Sequence, residues 1–268
     1  MGFLLAILLL FLPNKVHAAV LIGDGDEFVD TNYGVNYTSS EDLSICGWFQ
    51  LDDAAGAGVE EHIVGVNPFP ASFCLIQVGV DTGSGCGSDN GLRLISYIRD
   101  DSNNLDGPMC GDTNITVDTW THFCFVYIDA ATDAFLYMNG VQVASDTSII
   151  ATGAKTCSST DWYIGARNDA NVANNIWDGP IEEVSFYRSA LTATQVAQLY
   201  SARMRRMPCQ IGTTLDKYLP LDDGDDGTNA DGDSVFPVCG TDTDAGVGND
   251  GAVDGGLTWS VGNNLSYP

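Results

Sequence analysis

Apolar residues fall along this chain in short runs rather than long stripes. Leu43 to Gln50, Ser72 to Val80, Leu92 to Ile98, His122 to Ile128, Ala134 to Met138, Trp162 to Ala166 and Ile181 to Tyr187 are rich in Val, Ile, Phe, Tyr and Trp. Clusters of Gly, Asp, Asn and Ser separate them, so the pattern predicts short strands joined by turns, the rhythm of a β-sandwich. The sharpest local signal is Phe135-Leu-Tyr-Met-Asn139-Gly140-Val-Gln-Val143, where Asn-Gly supplies the positive φ angles of a two-residue hairpin turn. Helical spacing shows once, late in the chain. Thr192 and Gln195 form a capping box, Leu191 can staple onto Val196, and Val196, Leu199, Tyr200 and Arg203 recur on one stripe. Arg203, Arg205 and Arg206 crowd its end, either as cations against the negative end of the helix dipole or as a basic processing site in a linker.

Two segments stand outside this rhythm. Phe3 to Leu12 is an apolar run, and Val16-His17-Ala18 places small residues where a signal peptidase reads, so residues 1–18 read as a secretory signal. The run is about half the ~20 residues a spanning helix needs, which argues against membrane insertion. The body then spans residues 19–207. From 208 to 268 the composition shifts to Asp, Gly, Asn and Thr, with Lys217 as the only base and cysteines at 209 and 239. A Cys209 to Cys239 bridge would brace a segment that has little core of its own.

Charge narrows the partners. The chain carries 36 acidic residues against 10 basic ones, a net charge of −26. An excess of that size excludes a nucleic-acid binder, which needs a basic surface, and makes cations the natural partners. All eight cysteines follow the signal, and an even number in an exported chain reads as disulfides. Zinc is the rival, but no Cys-x-x-Cys pair is present and only His62 and His122 remain after the signal. Asn36, Asn114 and Asn264 open acceptor triplets for N-linked glycans in a host that attaches them.

The most specific stretch is Trp177-Asp-Gly-Pro-Ile-Glu-Glu-Val-Ser-Phe-Tyr187, followed by Ala190-Leu-Thr-Ala-Thr-Gln-Val-Ala-Gln-Leu-Tyr200. It resembles the closing strand and helix of laminin-G-like and pentraxin-like domains. Glu27-Phe-Val with Leu43-Ser-Ile-Cys-Gly-Trp-Phe49, and Trp120-Thr-His-Phe-Cys-Phe-Val-Tyr127, are similar to that family's opening and central strands. The resemblance covers about residues 20 to 203. It implies an all-β, concanavalin-A-like jelly-roll sandwich with one short C-terminal helix, followed here by the acidic Gly/Asp-rich tail. It also implies a disulfide between Cys46 and Cys124. Pentraxins bind calcium through a Glu-Gln-Asp run after an Ile-x-Gly strand. The matching place is Ile164-Gly-Ala-Arg167-Asn168-Asp169, where Arg167 replaces the Glu and Asn168 and Asp169 keep oxygen ligands. Calcium at a single site of the laminin-G kind is the expected cofactor. In the tail, Tyr218-Leu-Pro-Leu-Asp-Asp-Gly224 resembles the beginning of a bacterial laminin-G-like module, placed last. The tail is therefore expected to complete its own sandwich or a neighbour's.

Catalysis finds little support. The six Glu lie at 27, 41, 60, 61, 182 and 183, so the Glu-x-Asp-x-Glu strand of sandwich glycosidases is missing, and Glu182 and Glu183 point to opposite faces of a strand, which spoils them as a pair. The expected protein is a secreted binding or adhesion module whose partner is a glycan or an extracellular surface protein. Tyr163 and Trp177 are its candidate stacking aromatics. The alternative is a structural subunit of a surface layer, filament or virion that self-associates through its tail, and a glycan-active enzyme comes third. Fold alone does not choose among them.

Overall fold

The structure, a computed structural model, describes residues 18–22, 28–31, 33–34, 36–52, 60–68, 75–81, 86, 91–157, 160–202, 208–211, 214–219, 221, 234–235, 251–254 and 258–261; for 18–22, 234–235, 251–254 and 258–261 only the backbone is described. The expected signal thus lies outside the described residues up to His17, as do the arginines at 203, 205 and 206 and most of the acidic tail. Two sheets enclose one apolar core. The smaller has the order Val141–Asp146, Asp133–Met138, Thr121–Ile128, Leu43–Phe49, Gly179–Tyr187, Ala18–Ile22, Thr258–Val261, with Leu215–Leu219 also on Gly179–Tyr187. The larger runs Ser234–Val235, Gly251–Asp254, Phe28–Asp30, Tyr163–Ile164, Glu60–Asn67, Leu75–Asp81, Arg93–Arg99, Leu105–Asn114, and Arg167–Asp169 joins it beside Glu60–Asn67.

Alternation along the central strands sets both faces. Ile45 and Phe49 lie in the core with Phe123 and Phe125, while Cys46 pairs in register with Cys124, and Trp48 with His122, on the opposite side. That second side is covered as well. The helix Ala193–Ala202 buries Val196 and Leu199 against Cys46, Cys124, Val126, Tyr137 and Tyr187. Its capping box is formed: Gln195 N–H donates to Thr192 Oγ1 at 3.3 Å and Thr192 N–H donates to Gln195 Oε1 at 2.8 Å. The hairpin turn has φ of 51° at Asn139 and 76° at Gly140. A Cβ on Gly140 would also come within 2.9 Å of the Tyr200 ring, so the turn needs glycine for its backbone and for the helix lying over it.

A disulfide joins Cys46 to Cys124 beneath that helix, and another joins Cys86 to Cys110 at the edge of the larger sheet. Cys157 and Cys209 are disulfide-bonded too. Cys239 lies outside the described residues, and so does the expected bridge from it to Cys209.

Two strands depart from the sequence pattern. Glu60–Asn67 and Leu105–Asn114 are not predicted, because each carries polar residues on its outward side and the first opens Glu-Glu-His. A third departure is local. Gly179–Tyr187 slips register between Glu182 and Ser185, with φ of 58° at Glu183, so a bulge replaces the simple alternation of the two glutamates. The Glu183 carboxylate accepts a hydrogen bond from the Tyr218 hydroxyl.

Tyr218 belongs to the tail strand, and that strand is tied to the body by charges as well as by its ladder. Leu215–Leu219 runs antiparallel to Gly179–Tyr187, placing Leu219 opposite Val184 in the core. Asp216, which is buried, accepts from Arg188 Nε at 2.8 Å and from the Tyr33 hydroxyl. Lys217 is fully buried, donates to the Thr31 carbonyl at 2.8 Å and sits 5.3 Å from the Tyr33 ring centroid. A buried charge is tolerable only with such partners.

Two outcomes follow for stability. Asp216→Ala leaves the Arg188 guanidinium and the Tyr33 hydroxyl without their carboxylate, and urea denaturation should show a loss of about 3 kcal/mol; a loss below about 1 kcal/mol would contradict the pinning role. Burial of His122 pushes its imidazole down to about 3, far below the ordinary value of about 6.5. The unfolded chain therefore takes up a proton that the native state refuses. The contribution of neutral His122 is complete above about pH 6.5 and is lost as pH falls toward about 3, with a slope of up to about 1.4 kcal/mol per pH unit. His122→Phe should flatten the pH dependence of unfolding free energy between about pH 4 and pH 6, and an unchanged slope would refute it.

Candidate functional site

The smaller sheet is covered on its outer side by the helix, and among the described residues no helix lies on the outward side of the larger sheet. Alternation sends Val64, Ile76, Val78, Leu94 and Ile98 into the core. The register then aligns Gly65, Gln77 and Tyr97 across three strands, and Leu75, Arg99 and Leu105 across the next row. Arg167 pairs with Gly65, and Asp169 with Asn67.

Two polar networks occupy this side. Around the Asp169 carboxylate, Arg167 donates Nε to Oδ1 at 2.8 Å and Nη2 to Oδ2 at 2.6 Å, a two-pronged pair. Asn67 Nδ2 donates to Oδ1 at 2.5 Å and Asn174 Nδ2 to Oδ2 at 2.9 Å. Room for the Arg167 stem comes from Gly65, where a Cβ would lie 3.3 Å from Arg167 Cα and 3.4 Å from its Cγ. In the second network the Tyr97 hydroxyl donates to Glu60 Oε1 at 2.6 Å, and Glu60 Oε2 lies 3.5 Å from His62 Nε2. His62 beside it, reinforced by the Tyr97 hydrogen bond, holds the Glu60 carboxyl below its ordinary range. Burial pushes the His62 imidazole down, and burial with the Glu60 charge pushes the Tyr97 phenol up. At neutral pH the group is an ionised carboxylate, a neutral imidazole and a protonated phenol.

The same side holds buried polar atoms without hydrogen-bond partners: Gln77 Oε1, Asn67 Oδ1 and Arg99 Nε. Gln77 is only 3% exposed. Buried polar groups are nearly always satisfied, and leaving one unmet costs about 1–3 kcal/mol; other unmet atoms lie away from this face, on Trp120, Trp162 and Trp177 among others. Half-buried Phe28 adds an aromatic edge, stacked on Tyr163 with ring centroids 4.1 Å apart.

Of the residues proposed from sequence, Asp169 presents its carboxylate to this network, and Tyr163, in register with Gly65, lies on the same side of the sheet. Trp177 is not on an exposed loop; it is 0% exposed, wedged edge-on against Phe49 at 5.2 Å between the sheets. Tyr163 is 5% exposed, and the ring that reaches outward beside it is that of Phe28. Trp177 follows an Asn-rich stretch that looks like loop, whereas Tyr163 lies in a run that reads as a strand; both are buried. Asn168 and Asp169, the expected calcium ligands, have their side chains engaged within the protein. Asn168 is buried, giving Nδ2 to the Asp161 carbonyl at 2.8 Å and taking the Asn171 N–H on Oδ1 at 2.7 Å, while the neighbouring Asp169 is neutralised by Arg167. The arginine standing where the pentraxin run has Glu supplies the positive charge that calcium would bring. Among the described residues no group of three or more His, Cys, Asp or Glu is arranged to hold a metal ion. Asn67, Gln77, Tyr97, Arg99 and Asn174 were not read from the sequence, where each is a lone polar residue, and only the period-two alternation of their strands could have singled them out.

Solved structures share this architecture. A heptameric SAP-like pentraxin from Limulus polyphemus superposes with a TM-score of 0.55 at 12% identity, covering 71% of this chain and 85% of the pentraxin. A Bacteroides ovatus protein assigned to carbohydrate binding gives 0.59 at 15% identity, covering 93% of this chain and 61% of that one. The CBM40 module of a Ruminococcus gnavus IT-sialidase, bound to α2,3-sialyllactose, gives 0.50 at 10% identity over 68% and 96% of the two chains. No curated protein sequence matches the chain significantly. A laminin G family model, described as concanavalin A-like lectin/glucanases superfamily, matches residues 23–197, and the chain belongs to that superfamily.

Proposed function

We propose that this protein is a secreted carbohydrate-binding module whose ligand face is the outward side of the larger sheet. The observation that carries the reading is the gathering there of a held Arg167–Asp169–Asn67–Asn174 array and of buried polar atoms with no protein partner. Sugar hydroxyls donate and accept in pairs, which is what a fixed row of amides, guanidinium and carboxylate offers, and Phe28 adds an apolar surface for a pyranose C–H face. The module acts by binding. Glycoside hydrolysis needs one carboxyl kept protonated beside a second, ionised one. On this face Glu60 is shifted toward ionisation and Asp169 is held by an arginine. Secretion rests on the apolar leader at residues 3–12 and on disulfides, which persist in oxidising compartments.

A glycan array with the secreted protein should reveal a saturable ligand. Asn174→Ala should weaken that ligand about 3- to 10-fold by calorimetry, the worth of one hydrogen bond, with little change in Tm. Wild-type affinity in Asn174→Ala, or no glycan bound at any concentration, would overturn the reading.

A further inference from the structure

In a chain with 36 acidic residues, a base is expected to find an acid or a carbonyl. The described bases do so with one exception. Arg93 donates to the Gly111 carbonyl, Lys155 to that of Gly153, Arg167 to Asp169, Arg188 to Asp216 and Lys217 to the Thr31 carbonyl. Among the described lysines and arginines only Arg99 makes no ion pair and no side-chain hydrogen bond, although it is half-buried and its Nε is shielded from solvent. The nearest carboxylate in sequence, Asp100, is committed elsewhere, accepting from the backbone N–H groups of Ser102, Asn104 and Gly153.

We infer that Arg99 makes this face a receptor for a carboxylate-bearing sugar, a deepening that rests on the carbohydrate reading above. A guanidinium is a planar fork that matches a carboxylate with two parallel hydrogen bonds, and a half-buried one without a counter-ion is already stripped of part of its water. Gln77 lies diagonally opposite on the neighbouring strand, since Gln77 pairs with Tyr97 and Leu75 pairs with Arg99. That places the two residues about 7–8 Å apart, one offering an unspent donor and the other an unspent buried acceptor. Leu105, 39% exposed and in register with Arg99 on the other side, borders them with apolar surface. The ligand that satisfies all three carries a carboxylate, a hydroxyl or amide N–H a few ångströms away, and an apolar C–H face. Uronic and sialic acids both have that chemistry. Salt screens the distant part of the −26 charge beyond about 8 Å, and the nearer carboxylates on this face are engaged, Glu60 by Tyr97 and Asp169 by Arg167.

The test is calorimetry on the full secreted protein with matched pairs: 3′-sialyllactose against lactose, and an oligogalacturonate against its methyl ester. One acid should bind at least 10-fold tighter than its neutral partner, and which one binds identifies the sugar. Arg99→Gln should bring the acid down to the neutral level, and Arg99→Lys should keep part of the preference and its salt dependence. Equal affinity for acid and neutral partners, or an acid bound as well by Arg99→Gln as by wild type, overturns the inference. If a neutral glycan binds and Asn174→Ala weakens it while Arg99→Gln does not, the carbohydrate reading survives and the role of Arg99 falls. If no glycan binds, both fall.

Discussion

The sandwich depends on the strand Gly179–Tyr187 having a partner along each edge. Leu43–Phe49 lines one edge over most of its length, and the other edge is shared, with Ala18–Ile22 beside its first residues and Leu215–Leu219 beside its last. A buried strand cannot leave N–H and C=O groups unpaired without cost, and an open edge invites pairing with other chains. Residues 18–22 and 215–219 meet on this one strand, which makes residues 215–219 part of the body rather than an appendage. Asp216 and Lys217 bring their charges to groups that only the body supplies: Arg188, Tyr33 and the Thr31 carbonyl. The ladder and the ion contacts therefore select the same register.

Charge is handled locally throughout. Lys155, fully buried, lies 3.9 Å from Asp129, 2.9 Å from the Gly153 carbonyl and over the Tyr127 ring, while Arg167 holds Asp169 and Arg188 holds Asp216. Each pairing settles a charge inside a low-dielectric setting where an isolated ion would be costly. Against that background an arginine without a counter-ion is a departure, and it falls, with the buried Gln77 amide, on the sheet side that no described helix covers. Departures from local consistency are expected where function outweighs stability.

The sequence revealed most where burial is two-sided. Leu43–Phe49 and Thr121–Ile128 read clearly because one side meets the core and the other meets the helix, so the run is apolar throughout. The Asn139-Gly140 turn and the Thr192–Gln195 cap were legible because their chemistry is local. The ligand face was not, for the opposite reason. Glu60–Asn67 looks like loop because its outward residues are polar, and they are polar because they form the candidate site. Trp177 and Tyr163 were misplaced because burial by a returning chain is not a local property. At residues 167–169 the pairing of Arg167 with Asp169 was not legible either, because it depends on which way two neighbouring side chains turn on the folded sheet.

Ligand is proposed to arrive on the outward side of the larger sheet. Hydrogen–deuterium exchange with and without a bound acidic oligosaccharide tests it most directly. Protection is predicted in residues 60–67, 75–81, 93–99 and 167–174, with residues 193–202 unchanged. Protection confined to the helix and to the strands it covers, with residues 60–67 and 93–99 unaffected, would contradict it.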